Sequence, residues 1–86
     1  MLELIYAPGF LRELKKMEPG LQKEVLEKIE LFKNKKHHRS LRVHKLHGAL
    51  KNRYSFSVNY RTRIVFSYSS KKQAHILAIG DHNIYD

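Results

Sequence analysis

The chain has 86 residues, carries 17 Lys plus Arg against 8 Asp plus Glu for a formal charge of +9, is 42% hydrophobic and contains no cysteine. A chain this short buries only about 60% of the surface that its unfolded form exposes, which leaves room for one domain with one modest core and excludes a second. Disulfides, thiolate zinc sites and cysteine nucleophiles are excluded with the missing cysteines, and no apolar run approaches the roughly 18 residues of a membrane span.

Leu2, Leu4 and Tyr6 alternate with Glu3 and Ile5, the pattern of a short strand that Pro8 and Gly9 bring to an end. Pro8 suits the first turn of a helix. Phe10, Leu11, Leu14 and Met17 then recur at helical spacing, so an amphipathic helix is expected over residues 8–17, with Pro19-Gly20 closing it. In the longer helix that follows, Leu21, Val25, Ile29 and Phe32 form an apolar stripe, and Glu24 stands four residues before Lys28, the favourable order for an ion pair. This helix is expected to fade near Asn34.

From there the period changes to two. Leu41, Val43 and Leu46 suggest a strand, and Gly48 marks a turn or bulge. Tyr54, Phe56 and Val58 alternate with Arg53, Ser55, Ser57 and Asn59, and Ile64, Phe66 and Tyr68 repeat the pattern opposite Arg63, Val65 and Ser67. Ser69 to Lys72 reads as a polar turn. Ala74 to Ile79 is apolar on both faces apart from His75, as expected of a strand inside the sheet. The expected fold is α+β: an antiparallel-rich sheet of four to five strands, with an N-terminal helical hairpin packed on one face, in a single domain over residues 1–86. The other face carries the polar strand residues.

Charge is unevenly placed. From Lys33 to Arg53 no acidic residue occurs, while the acids lie at or before Glu30 or near the C-terminus. A domain this basic favours a polyanionic partner. Glu3 stands where a signal peptide would carry positive charge, so a cytoplasmic chain without membrane attachment is expected.

Two N-terminal helices followed by His44-Lys-Leu-His-Gly48, Tyr54-Ser-Phe-Ser-Val58, Arg61-Thr-Arg-Ile-Val-Phe66 and Ile79-Gly-Asp-His-Asn-Ile-Tyr85 resemble the RelE/YafQ/YoeB group of bacterial toxins across nearly the whole chain. The resemblance implies a RelE-like fold and a toxin of a toxin-antitoxin pair. Such a toxin enters the ribosome, cuts messenger RNA without a metal or cofactor, and is silenced by a cognate antitoxin. Toxins most like RelE itself carry two lysines where this chain has Ser55 and Ser57. His44-x-Leu-x-Gly48 and Gly80-x-His82 look instead like the histidine-using YafQ branch. Two alternatives stay open: a ParE-like gyrase inhibitor on the same fold, and a plain RNA-binding module.

Metal-free RNA cleavage needs a base for the 2′-hydroxyl, charge to stabilise the phosphorane, and an acid for the departing 5′-oxygen. Imidazole titrates near ~6.5 and serves as either acid or base. Arginine keeps its charge and presents a planar fork to phosphate oxygens. The expected catalytic set is Arg63, whose parity places it away from Ile64 and Phe66, with His82, Tyr85 and His44. Tyr85 would stack on a base or orient a phosphate. Arg61, Lys45, His47, Arg53, Lys51, Lys35, Lys36 and Arg39 are the expected RNA contacts, and His37 and His38 are expected to be solvated or to touch phosphate. Four histidines lie between positions 37 and 47, but no carboxylate or cysteine joins them, so no metal site is expected.

Overall fold

The computed structural model describes residues 1–48 and 52–81. The elements run β1 (Glu3–Tyr6), α1 (Pro8–Lys16), α2 (Pro19–Phe32), a 3-10 turn (Lys35–His37), β2 (His44–Lys45), β3 (Tyr54–Ser57), β4 (Thr62–Ser70) and β5 (Gln73–Asp81). One sheet of five strands has the order β1-β5-β4-β3-β2, with β1 parallel to β5 and the other pairings antiparallel. The expected α+β architecture is therefore present, and β5 lies inside the sheet as its apolar run requires. Among the described residues no helix is long and apolar enough to cross a membrane.

The core lies between the helices and one sheet face. Phe10 of α1 and Val25, Ile29 and Phe32 of α2 are buried with Phe56, Ile64, Phe66, Ala74 and Ile76. The register makes Phe56, Ile64 and Ile79 one row and Tyr54, Phe66 and Ile76 the next, so these residues share a face. Phe32 is the centre of this packing. Its ring stacks on Phe56 at 4.4 Å and meets Phe66 edge-on at 4.6 Å, contacts worth about 0.5–1.5 kcal/mol each beyond the area they bury.

Several local expectations are corrected. Pro19 and Gly20 open α2 rather than close α1: both helices carry proline in the first turn, where its missing N–H costs nothing. The corner between the helices is held by Gln22, whose Nε2 donates to the Met17 carbonyl at 2.9 Å. Glu24 makes no ion pair with Lys28 among the described residues; its Oε1 accepts from Asn59 Nδ2 at 2.7 Å instead. Ser69 and Ser70 continue the β4 ladder, leaving Lys71 and Lys72 as the turn.

The strand expected over residues 41–46 shrinks to His44–Lys45. Arg42 has φ +59°, a left-handed conformation that interrupts extension. Around it the chain turns, with Leu41 N–H donating to the His37 carbonyl at 3.0 Å and Val43 N–H to that of His38 at 3.0 Å. The apolar alternation of Leu41 and Val43 was real but serves a turn, from which Leu41 reaches the core at 4% exposure.

Candidate active site

Pleating puts the residues between the core positions on the opposite, helix-free face. Ser57, Arg63 and Gly80 pair across β3, β4 and β5 to form one row. His44, Ser55, Val65 and Ala78 form the next. Arg63 thus lies on the polar side that its parity predicts. The pairing of His44 with Ser55 brings that histidine onto the same face. Strand spacings place the His44 and Arg63 Cα atoms roughly 12 Å apart, within joint reach of one dinucleotide.

Arg63 is held from the loop before its own strand. Its Nη1 donates to the Asn59 carbonyl at 2.5 Å and to that of Thr62 at 3.3 Å. Nε and Nη2 make no protein hydrogen bond among the described residues, so the side-on edge of the guanidinium, the one that grips phosphate bidentately, is the edge left for a ligand.

Asn59 organises the loop. Its Oδ1 accepts from the N–H groups of Arg61 at 3.0 Å and Thr62 at 2.8 Å, while its Nδ2 ties the loop to Glu24 on α2. The sequence reading placed Asn59 in a strand; an asparagine between two alternating runs is the turn signal that would have found it. Arg42, Ser57, Asn59, Tyr60 and Arg63 line a cleft of about 270 Å³. Arg42 belongs to the basic run but was not singled out, because its left-handed backbone leaves no mark in residue pattern.

His44 Nδ1 lies 2.8 Å from the Arg42 carbonyl. A carbonyl only accepts, so Nδ1 is the donor in this contact. Ser55 is fully buried beside it, and its Oγ makes no hydrogen bond among the described residues.

The other expected contacts scatter. Arg61 is exposed in the loop before β4, and Arg53 is exposed just before β3 with its carbonyl accepting from Leu46 N–H at 2.8 Å. Lys45 pairs with Tyr54 and so takes the parity of the helix-covered face, opposite to Arg63. His47 is exposed beyond β2, and Lys35, Lys36 and Arg39 are exposed in and after the 3-10 turn. His38, expected to be solvated, is half-buried: its ring stacks on Phe32 at 4.7 Å, and its Nε2 donates to the Phe32 carbonyl at 2.7 Å, capping α2. Lys51, His82 and Tyr85 lie outside the described residues. Among the described residues no group of three or more His, Cys, Asp or Glu is arranged to hold a metal.

A larger cleft, about 330 Å³, is lined by Met1, Leu2, Lys33, Asn34, Lys35, Lys71 and Lys72. It lies at the far end of β4, roughly 25 Å from the Arg63 cleft by strand rise. There the hydrogen bond from Lys33 to Glu30 holds the ammonium above its ordinary pKa, and burial raises the Tyr6 hydroxyl.

No protein-family model and no curated protein matches the sequence. Solved structures do. A chain of the YoeB-YefM complex from Staphylococcus aureus superposes with a TM-score of 0.73 at 17% identity, over 95% of this chain and 98% of that one. A chain of the archaeal RelE-RelB complex from Pyrococcus horikoshii OT3 gives 0.74 at 16% identity, over 96% and 97%. YafQ from E. coli strain BL21(DE3) gives 0.68 at 12%, over 95% and 94%. The fold is RelE-like. In this RelE-like sheet the helix-free face presents Arg63 and His44 two strands apart, with Ser55 and Ser57 between them on β3.

Proposed function

We propose that this chain is the toxin of a toxin-antitoxin pair, a metal-independent endoribonuclease that cuts messenger RNA on the ribosome. The observation that carries the reading is Arg63: its Nη1 is fixed by backbone carbonyls, and it lines the cleft together with Ser57, its cross-strand partner on the helix-free face. A preorganised cation aimed at a phosphate stabilises the charge that builds up in a phosphorane, an effect typically worth a hundredfold or more. His44 supports it from the neighbouring row. That histidine is the base that takes the 2′-hydroxyl proton as the oxygen attacks phosphorus, a role that rests on the sequence resemblance. His82 returns a proton to the departing 5′-oxygen, and Tyr85 orients or stacks the substrate; these two roles rest on the sequence resemblance.

The ribosome supplies the rest of the geometry. A substrate already held by a large partner loses much of its entropic barrier, so a sparse site suffices. The charge of +9 suits entry among ribosomal RNA phosphates. Structures with the same fold include a YoeB-YefM complex described as toxin-antitoxin and the RelE-RelB complex. A cognate antitoxin, acidic and partly apolar, follows for this chain, which acts in the cytoplasm where its substrate is.

Translation in a purified system tests this. Cleavage within codons that requires ribosomes, and that drops by tenfold or more in folded Arg63→Ala, is the expected result. Gyrase-linked DNA breaks without RNA cleavage would overturn it, as would intact message after incubation with translating ribosomes.

A further inference from the structure

We infer that Arg42, Arg63 and Tyr60 form a nucleotide subsite for single-stranded RNA, with a phosphodiester held between the two guanidinium groups and the adjoining base stacked on Tyr60. The inference deepens the ribonuclease reading and rests on it for the identity of the ligand.

Two cations meet in this cleft from separate elements. Arg63 comes from β4 and Arg42 from the turn before β2, and among the described residues no carboxylate lines the space between them. Neither arginine has an ion pair there, since the pairs among the described residues are Lys16–Glu13 and Lys33–Glu30. An unneutralised pair of arginines with a hydroxyl, Ser57, beside them is a site for an anion with several oxygens.

Arg42 is positioned at a cost. Its φ of +59° is a conformation that glycine or asparagine adopts without penalty. The conformation is held on all sides. Arg42 N–H donates to the Arg39 carbonyl at 3.1 Å, its own carbonyl accepts from His44 Nδ1 at 2.8 Å, and the Leu41 carbonyl accepts from Ser57 N–H at 2.8 Å. That last bond pins the turn against the end of β3, so Arg42 stands beside Ser57 on the same cleft. Strain kept at a site whose surroundings over-determine it is a mark of function.

Tyr60 supplies the aromatic surface. It is 87% exposed, on the lip of the same cleft. Its loop is clamped by the two bonds to Asn59 Oδ1 on the C-terminal side of Tyr60, so the ring is presented from a fixed backbone. Aromatic rings beside cationic tracks are how single strands are held without regard to sequence, because every base has a π-face.

The test measures binding of a short 2′-O-methyl oligoribonucleotide, which lacks the attacking hydroxyl, across a salt series. Arg42→Gly is expected to lower affinity by roughly tenfold and to reduce the log-log salt slope by about one unit, while thermal denaturation shows a fold at least as stable because the backbone strain is relieved. Arg42→Asn, also strain-free, should behave alike. Tyr60→Ala is expected to lower affinity by about tenfold with the salt slope unchanged. Lys23→Ala, which removes one exposed charge from the helix side, should leave affinity as it was.

Equal loss of affinity in Lys23→Ala and Arg42→Gly would overturn the subsite, because only total charge would then matter. So would wild-type affinity in both Arg42→Gly and Tyr60→Ala; if those variants also cleave normally on ribosomes, the ribonuclease reading stands without the subsite. The reverse pattern, weakened oligonucleotide binding in a protein that cleaves nothing on ribosomes, sustains the subsite and removes the nuclease.

Discussion

On the helix-covered face of the sheet Phe56, Ile64, Phe66 and Ile76 are wholly shielded from solvent, whereas on the other face Ser57 and Arg63, their immediate neighbours in the same strands, keep partial exposure. The same alternation builds both. What differs is the partner: two helices supply apolar side chains to one face, while Arg42 from the turn before β2 joins Arg63 at the other. A small basic domain can thus concentrate its stability in one layer and leave the opposite layer to charge, so that substitutions on the two faces should separate folding from activity.

The largest effect expected is on the covered face. Phe32→Ala removes the ring around which Phe56, Phe66 and His38 pack, and should cost about 3–5 kcal/mol; for a domain of this size that is much of the total. Urea denaturation measures it, and a loss below ~1 kcal/mol would mean that the two layers are not divided as described. Arg63→Ala should do the converse, reducing ribosome-dependent cleavage by tenfold or more with denaturation changed by no more than ~1 kcal/mol, since one partly exposed side chain is lost.

Asn59→Ala crosses the division. It strips the loop of two backbone bonds and leaves Glu24 without its donor, so a loss of about 1–3 kcal/mol is expected together with weaker cleavage through a displaced Arg63. Restoring activity with Asn59→Asp, which keeps Oδ1 for the loop, while stability stays low would sharpen the two roles. Ser55→Ala is the small case on the open face. Its Oγ is buried with no partner, so removing it should leave stability unchanged or raise it by up to ~1 kcal/mol, and a clear loss would show that the hydroxyl is bonded.

Smallest is the response to alkali. Burial raises the Tyr6 and Tyr68 hydroxyls, and the Glu30 hydrogen bond raises Lys33. The native state therefore keeps these protons longer than the unfolded chain does. Their contribution is fully present below the unfolded values near ~10 and is lost as pH rises through the folded ones. Urea midpoints should be level to about pH 9.5 and fall beyond it; a midpoint that climbs there would reverse the sign.

Period-two reasoning was enough to place Arg63 on the open face, and helical spacing was enough to find Val25, Ile29 and Phe32 as the buried stripe, because both depend on geometry that every strand and helix obeys. The region from Lys33 to Leu46 was far less legible. A left-handed Arg42 has no compositional sign, so Leu41 and Val43 read as strand and Arg42 itself went unremarked. His38 looked solvated within a charge run because nothing local reveals that the chain folds back to lay its ring on Phe32. Lys45 illustrates the same limit: a strand of two residues leaves parity undefined until its partner, Tyr54, is known. Pro19 was read as ending the first helix, whereas it opens the second, because a proline that breaks one helix is equally suited to the first turn of the next.

The unequal strand lengths have a consequence for behaviour at high concentration. The nine-residue strands β4 and β5 lie inside the sheet, and its margins are the four-residue β1 and the two-residue β2. Long unpaired margins invite other chains to add strands and grow into aggregates. Here residues 63–66 of β4 and 73–76 of β5 are already paired on both sides, and the narrowest margin ends at Lys45, where incoming copies would meet their own positive charge.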